Sequence, residues 1–426
     1  MKHPDLLLFH GRLLTPPAEA VALGQPLSLE ETADGAVVAH RGKIVDVGPT
    51  AEVLERTTAG PMTRMIDAQG RAVLPGLVDP HTHMLYAKDR MDEMELRHEG
   101  KGYLEILAAG GGILKSMRDF RAADDQELAE GLLSRLKQAV GQGTVAVEVK
   151  TGYGLSQAEE MRGLGIIDRV AKLTGLPITP TLLAAHAFPP DTGRAEYLDQ
   201  CDRTATQAAK AGLAKAVDVF VEDGVFSPAE GRRLLAHART LGLAARMHAD
   251  ELSPSGGAEL AAELAAVSAD HLTAATAEGL AQMAAAGVSA VVLPGTSFFL
   301  DRPPLMAARV REARLIAALA TDSNPGSSPF VSMAWMIALA FHRNRFTWPE
   351  ALTMATINAA HVLGRDRELG SLTVGKRCSL LVLDEADPRV LVYRPDQAAP
   401  WAVVESGRVL IWQGAPTEEV MAWTVS

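Results

Sequence analysis

The chain is predicted to be an α/β protein, a (β/α)8 TIM-type barrel joined to a small β-sandwich domain built from both chain termini. Three observations predict it. Through the middle of the 426 residues, short β-branched apolar runs alternate with Ala/Leu/Glu-rich helical stretches, the pattern of parallel strands joined by helices. There are eight such runs over roughly 300 residues, the number and length that a (β/α)8 barrel requires. The two ends of the chain differ from this middle, with short β runs cut by Gly, Pro and Asp turn signals.

The elements follow in chain order. From Asp5 to about Ala72, the runs "DLLLFHGRLL", "GAVVAHRGKIVDVG" and "TRMIDAQGRAVL" read as strands, and "TAEVLERTT" is the first helical stretch. The eight barrel strands are expected at "AVLPGLVDPH", "TVAVEVK", "PITPTLLAAH", "AVDVFVEDG", "AARMHADE", "AVSADHL", "VSAVVLP" and "LIAALATD". Their strongly apolar character suits a sheet buried on both faces. Helices are expected between them, among others at "DQELAEGLLSRLKQAVGQG", "AEYLDQCDRTATQAAKAG", "PAEGRRLLAHARTLG" and "GAELAAELAA". After the barrel, "GSLTVGKRCSLLVLD" and "AVVESGRVLIWQG" return to the β texture of the N-terminal segment. The expected division is residues 1–70 plus 371–426 in the small β domain and 71–370 in the barrel. A doubly wound open sheet is the competing architecture, but no G-x-G-x-x-G follows the first strand.

Composition removes several function classes. With 47% hydrophobic and 22% charged residues the chain is ordinary globular material. A formal charge of −11 without a Lys/Arg block argues against nucleic acid as a partner. No apolar run approaches the roughly eighteen residues that span a bilayer, and "MKHPDLLLFHGRLL" lacks a signal-peptide pattern, so no membrane partner and a cytoplasmic location are expected. Cys201 and Cys378 are the only cysteines and lie far apart, which leaves histidine and carboxylate as the ligands for any metal.

The chemistry lies at the strand ends. Strand 1 ends in His81 and His83, which share a face of an extended segment because side chains repeat every second residue. Strand 3 ends in His186, strand 5 in His248 with Glu251 beyond it, strand 6 in Asp270 and His271, and strand 8 in Asp322. One strand-end histidine is most often a hydrogen-bonded structural residue. Five of twelve histidines at one rim, which is where barrel enzymes carry their catalytic groups, point instead to a metal held by imidazole and carboxylate. Without thiolate, that donor set suits zinc or iron. Three histidines and one aspartate leave an open position for water, whose pKa the cation lowers towards roughly 7, so the expected reaction is hydrolysis. Glu251 stands where it can relay a proton, or else caps the turn "LSPSGG". His271 is expected to orient a ligand or polarise the attacked carbonyl, and Asp270 to face away from the site.

These residues carry a resemblance. "PGLVDPHTH", the strand-5 histidine, the aspartate of "ATDSNPG" and the tail "TINAAHVLG" with "GSLTVGKRCSLLVLD" resemble the amidohydrolase superfamily. More narrowly, "DPHTHMLYAKDR", "AGGGIL", "EVKTGYGL", "LLAAHAFPPD", "HADELSPSGGAELAAELAAVSADHL" and "ATDSNPGSSP" resemble the imidazolonepropionase family, over about Ile44 to Asp384. "PHTH" is shared with many relatives, whereas "KTGYGL", "AHAFPPD" and "TDSNPGSSP" are specific to that family. The resemblance implies opening of the cyclic amide of 4-imidazolone-5-propanoate to N-formimidoyl-L-glutamate by a metal-bound hydroxide, in histidine catabolism. It implies one divalent or trivalent metal ion, zinc or iron, on His81, His83, His248 and Asp322, with Glu251, His271 and Asp322 catalytic. Arg90, Tyr103, Tyr153, His186, Glu251, Asn324, Gly326 and Ser327 would meet the small-molecule substrate, and a homodimer is suggested. Arg90 offers a bidentate fork for either a carboxylate or the ring oxygen, although the charged run around it, "KDRMDEMELRHEG", would suit a solvated surface equally.

Two departures from the family pattern are mild: "MLYAKDR" lacks a Gly before Asp-Arg, and Ser327 stands where Thr is common. Lys150 ends strand 2, not strand 4, so it is not read as the carboxylated lysine that bridges two metals in other amidohydrolases. The alternatives are a related mononuclear amidohydrolase or deaminase acting on another small cyclic amide or heterocycle, and a scaffold that has lost its chemistry. The presence of every expected ligand disfavours the scaffold.

Overall fold

The computed structural model describes residues 3–25, 27–101, 105–106 and 110–425. Its centre is an eight-stranded, all-parallel sheet in strictly sequential order, formed by Leu77–Asp79, Thr144–Lys150, Ile178–Ala185, Ala216–Val221, Ala244–Ala249, Ser268–His271, Ser289–Val292 and Ala317–Leu319. The two ends of that sheet meet just beyond the last strand, at a parallel bridge between Thr82 and Ser323. The (β/α)8 expectation therefore holds, and the bridge that closes the barrel lies between two predicted site segments.

The second strand shows why these residues make this sheet. In "TVAVEVK", Val145, Val147 and Val149 join the large apolar cluster shared with the surrounding helices, while Ala146 joins a smaller cluster with Val78, Val291 and Ala318. Alternate side chains thus face opposite sides of the strand, one set packing on helices and the other filling the base of the barrel. Nearer the C-terminal rim the inward set turns polar, with Glu148, Lys150, Asp218, Arg246, His248 and Asp270 all buried. Helices start where their caps dictate. Asp124 accepts the Glu127 amide before Asp125–Gly141, and Ser227 forms a reciprocal capping box with Glu230, with Pro228 in the first turn, before Pro228–Thr240.

Strands from both ends of the chain form a separate nine-stranded sheet. Leu6–Thr15 pairs antiparallel with Glu30–His40, and Ala72–Pro75 pairs antiparallel with the returning strand Leu380–Leu383. One face buries Leu6, Leu8, Val37, Ile66, Leu380, Val382 and Val404. On the other, Val53 of helix Thr50–Arg56 packs against Leu7 and Val38. No helix among the described residues is long and apolar enough to cross a membrane.

The first predicted barrel strand needs correction. "AVLPGLVDPH" is not one strand, since Ala72–Pro75 belongs to the terminal sheet and Leu77–Asp79 opens the barrel. Gly76 is the joint, and its amide donates to Ser379 O at 3.0 Å. A Cβ there would lie 2.4 Å and 2.6 Å from the two methyl carbons of Val145, so the close approach of the two sheets requires glycine. Gly76→Ala should accordingly lower stability by about 1–3 kcal/mol, the usual cost of overpacking, seen as an earlier denaturation midpoint with little change in secondary structure.

Candidate metal centre and catalytic pocket

The strand-1 extension carries His81 and His83 into the rim in fixed orientation. Asp322 N donates to His81 O at 3.1 Å and His83 N to Ser323 O at 2.9 Å, so the backbone is clamped to the end of strand 8. Between the two histidines, Thr82 N donates to Glu148 Oε2 at 3.1 Å. Asp322 itself has φ 52°, and His271 φ 75°, left-handed conformations that cost a non-glycine residue of order 1 kcal/mol and turn both side chains inward.

The orientation of the imidazoles follows from their remote nitrogens. His81 Nδ1 donates to Asp270 Oδ2 at 2.5 Å, and His248 Nδ1 to Asp218 Oδ1 at 3.0 Å. Because a carboxylate only accepts, Nδ1 carries the proton and Nε2 presents a lone pair. Those lone pairs converge, with His81 Nε2 3.3 Å from His83 Nε2 and the latter 3.1 Å from His248 Nε2. Asp322 Oδ1 stands 3.4 Å from both His81 Nε2 and His83 Nε2, while its Oδ2 accepts from Thr296 Oγ1 at 2.6 Å. A tetrahedral ion with bonds of about 2.0–2.1 Å has ligand–ligand edges of about 3.3–3.4 Å, and the observed separations match that edge. The donor set fits a metal ion.

Electrostatics agree. Burial pushes His81, His83 and His271 well below the usual imidazole value, which keeps them neutral. Burial also acts against the His248 imidazolium, but the adjacent Asp218 carboxylate outweighs it and raises this one group. Asp322 is raised to about 6 by burial, and Glu251 to about 8 by burial together with the Asp322 charge. A cation on Asp322 would relieve that repulsion.

Asp270 corrects an expectation. It faces the site, and its bond to His81 determines how that ligand is turned. The residue preceding a strand-end histidine was expected on the opposite face, but Asp270 points into the barrel, and the left-handed turn at His271 brings both side chains to the rim. His271 stands close enough to His81 and His248 to share a cation with them. Its ring is 5.3 Å from that of His248, Nδ1 is 3.7 Å from Glu251 Oε1, and Nε2 has no hydrogen-bond partner. Asp218 and Asp270 also approach His81 as a ligand-like group, but the Lys150 ammonium 2.8 Å from Asp218 already supplies their counter-charge.

The cavity beside this cluster is lined by His83, Arg90, Tyr153, His186, His248, Glu251, His271, Asp322, Asn324 and Ser327, with Ile113, Phe220, Leu252 and Leu300 as apolar walls. His186 donates Nδ1–H to Gly152 O at 2.9 Å and stacks on His83 with ring centroids 5.1 Å apart. Tyr153 is buried 5.4 Å from the His186 ring. Arg90 is 4% exposed, which rejects a solvated-surface role. Its nearest polar neighbours are Glu93 Oε2 and Ser116 Oγ, each at 3.5 Å, and Nε lacks a hydrogen bond. So sparsely paired a buried guanidinium is poised for an anionic or carbonyl oxygen.

The strand-8 loop is mostly self-satisfied. Asn324 Oδ1 accepts from Gly326 N at 2.8 Å and Ser327 N at 2.7 Å, and Nδ2 donates to Asp322 O and Ser327 Oγ. Gly326 does not line the cavity; it lies against Arg90, where a Cβ would fall 1.2 Å from Nη2. Tyr103 lies outside the described residues. Sequence reasoning missed Asp218, Thr296 and the apolar walls. Asp218 interrupts the apolar run of strand 4, and that was the available signal.

Removing one imidazole should break the cluster. His248→Ala leaves two histidines and one carboxylate, and elemental analysis of the purified variant should find a metal content well below that of the parent protein. Full metal occupancy in the variant would remove His248 from the ligand set.

The comparisons agree with this geometry. Residues 72–411 match the amidohydrolase family. Imidazolonepropionase from Symbiobacterium thermophilum is 47% identical over 385 residues, covering 89% of this chain and 91% of the relative. The enzyme of that name from Rubrobacter xylanophilus is 42% identical over 408 residues, covering 95% and 98%. Among solved structures, 5-methylcytosine deaminase from Klebsiella pneumoniae superposes with a TM-score of 0.74 at 18% identity, over 96% of this chain and 97% of that one. An adenosine deaminase from Xanthomonas campestris with bound zinc gives 0.68 at 20% identity, over 99% and 98%. At such identities the deaminases share the fold alone, whereas identity above 40% over nearly the whole length places the sequence among its curated relatives: the chain belongs to the imidazolonepropionase branch of the amidohydrolase family.

Proposed function

We infer that the protein hydrolyses the cyclic amide of 4-imidazolone-5-propanoate to N-formimidoyl-L-glutamate, the histidine-catabolic reaction for which its relatives are named. The observation that carries this reading is the pairing of a lone-pair cluster, fitted to one cation, with a buried and underpaired arginine across the same cavity. The first suits hydrolysis and the second suits a substrate with a carboxylate.

We propose His81, His83, His248 and Asp322 as the ligands and zinc or iron as the ion, since the donors are imidazole and carboxylate, while Cys201 sits in helix Arg194–Ala211 and Cys378 in the core of the terminal sheet. When bound, such an ion lowers the pKa of water and polarises a carbonyl oxygen. The chain's own groups do the rest. Water oxygen bonds to the ring carbonyl carbon, the ring C–N bond breaks, and one proton must pass from the water to the departing nitrogen. Glu251 is the carrier: held in a partly dry environment with its pKa raised to about 8, it accepts a proton readily and gives it up again near neutral pH. His271 Nε2, without a partner in the protein, is assigned to hydrogen-bond the carbonyl oxygen as negative charge develops there. Arg90 takes the propionate or the ring oxygen, and His186 and Tyr153 pack against the ring beside it. Stacking of His186 on His83 keeps that wall rigid.

The direct test is an assay of the metal-loaded protein with enzymatically generated imidazolonepropionate, reading formation of N-formimidoyl-L-glutamate. A metal-loaded, folded protein that leaves this substrate intact would overturn the assignment.

Glu251→Gln removes the proton carrier and keeps its shape, so kcat should fall roughly 10²-fold or more with metal content unchanged. Metal loss in this variant would move Glu251 from proton carrier to ligand.

Two substitutions test the arginine from opposite sides. Arg90→Met removes the charge and should cost about 2–4 kcal/mol in kcat/KM, the usual cost of stripping one partner from a desolvated ion pair. Gly326→Ala keeps Arg90 but occupies its space, and should reproduce much of the loss with metal still bound. Unchanged kcat/KM in Arg90→Met would send the propionate to another partner.

A further inference from the structure

The interior of the barrel beneath the metal cradle contains a buried lysine that the hydrolytic reading leaves without a task. Lys150 ends the second barrel strand and is 0% exposed, and its Nζ lies 2.7 Å from Glu148 Oε1, 2.8 Å from Asp218 Oδ2 and 4.0 Å from Asp270 Oδ2. Each of these carboxylates also bears on the cradle. Asp218 Oδ1 accepts His248 Nδ1, Asp270 Oδ2 accepts His81 Nδ1, and Glu148 Oε2 accepts the amide of Thr82, the residue between His81 and His83. Thr82 Oγ1 also donates to Glu148 O at 2.7 Å, so strand 2 holds the strand-1 ligand pair through both backbone and side chain. The other cation nearby, Arg246, spends its Nη atoms on Pro80 O and Val362 O.

We propose that Lys150 is a positioning residue for the metal: one ammonium gathers the three carboxylates that turn His81, His83 and His248 so that their Nε2 atoms meet at a point. The proposal rests on the reading of His81, His83, His248 and Asp322 as ligands. Three carboxylates in a dry interior repel one another, and pairing with a cation at hydrogen-bond distance is what makes their joint burial tolerable. Without the ammonium they would separate or take up protons, and either change removes the acceptor that holds an imidazole in its tautomer and orientation. Partners of this kind behind metal-bound histidines govern affinity by one to two orders of magnitude. Here a single residue serves several ligands at once, and Lys150 touches neither the cavity nor the proposed ligands.

The test compares the full-length protein with Lys150→Met, Lys150→Gln and His248→Ala. It measures zinc affinity by chelator competition and the visible absorption of the cobalt-substituted proteins. For Lys150→Met we expect zinc affinity to fall about 10- to 100-fold, with a changed cobalt spectrum because the imidazoles are no longer held in place. Lys150→Gln, which keeps hydrogen bonding but not charge, should show the same spectral change with a smaller loss of affinity. A folded Lys150→Met with parental zinc affinity and an unchanged cobalt spectrum overturns the proposal. Failure of both Lys150 variants to fold, with and without zinc, also overturns it in favour of a purely structural role. His248→Ala separates the two levels: if it binds zinc as the parent does, the ligand assignment itself fails, whereas loss of zinc there alongside parental Lys150 variants defeats only the positioning role.

Discussion

Imidazole nitrogens whose lone pairs face one another at 3.1–3.3 Å repel unless a cation stands between them, and much of the barrel's interior is arranged around that constraint. Neutral histidines are required, which burial secures by disfavouring the imidazolium. Fixed tautomers are required, which Asp270 and Asp218 impose by accepting from Nδ1. Those carboxylates need a counter-charge, which Lys150 supplies. The result is a column of alternating charge inside the barrel, from the strand-2 ammonium through the carboxylates to the imidazoles at the rim. Such an interior contributes little to stability compared with the Val and Leu side chains on the outer faces of the same strands; its consequence is orientation.

The polar column and the apolar shell are compatible because they occupy opposite faces of the same strands. Val145, Val147 and Val149 bury against helices while Glu148 and Lys150 point inward. The base of the barrel is closed by small apolar residues, Ala146, Val291 and Ala318 among them, with Ala359, Val362 and Leu363 from the helix after strand 8 and its end. Chemistry is thereby confined to one end, where left-handed turns at His271 and Asp322 bring side chains from separate strands together. Backbone strain at those two positions is tolerated because the strand and loop around them are hydrogen-bonded on both sides, through Asp322 N to His81 O and Ser328 Oγ to Thr321 O.

Substrate recognition is built differently from the metal cradle. The cradle comes from strands and is rigidly paired, whereas Arg90 comes from the segment after strand 1 and is held mainly by shape. Its backbone amide reaches Pro325 O, its guanidinium lies on the face of Gly326, and Glu93 anchors the neighbourhood by accepting the Gly112 amide at 2.7 Å and pairing with Arg97 at 3.3 Å. A guanidinium packed on glycine and left short of partners keeps its hydrogen-bonding capacity for a ligand. The two halves of the pocket thus meet across the Asn324 turn, which joins the aspartate of the cradle to the glycine under the arginine.

The sequence by itself determined the parts that depend on residue type and local period. The eight apolar runs, the histidines at their ends, the aspartate of "ATDSNPG" and the capped helices are legible because side-chain alternation, capping and metal preference act over a few residues. What only the tertiary structure decided is what distant segments do to one another. Asp270 looked turned away because its neighbour His271 was assigned to the site; the barrel's curvature and a left-handed turn brought both inward. Lys150 read as an unassigned strand end until strands 4 and 6 placed Asp218 and Asp270 beside it. Gly326 read as a ligand-facing turn until Arg90, far earlier in the chain, was found against it, and "AVLPGLVDPH" read as one strand until two sheets divided it at Gly76. In each case the deciding quantity is a separation of a few ångströms between residues far apart in sequence. Barrel closure sets that separation, and no local pattern encodes it.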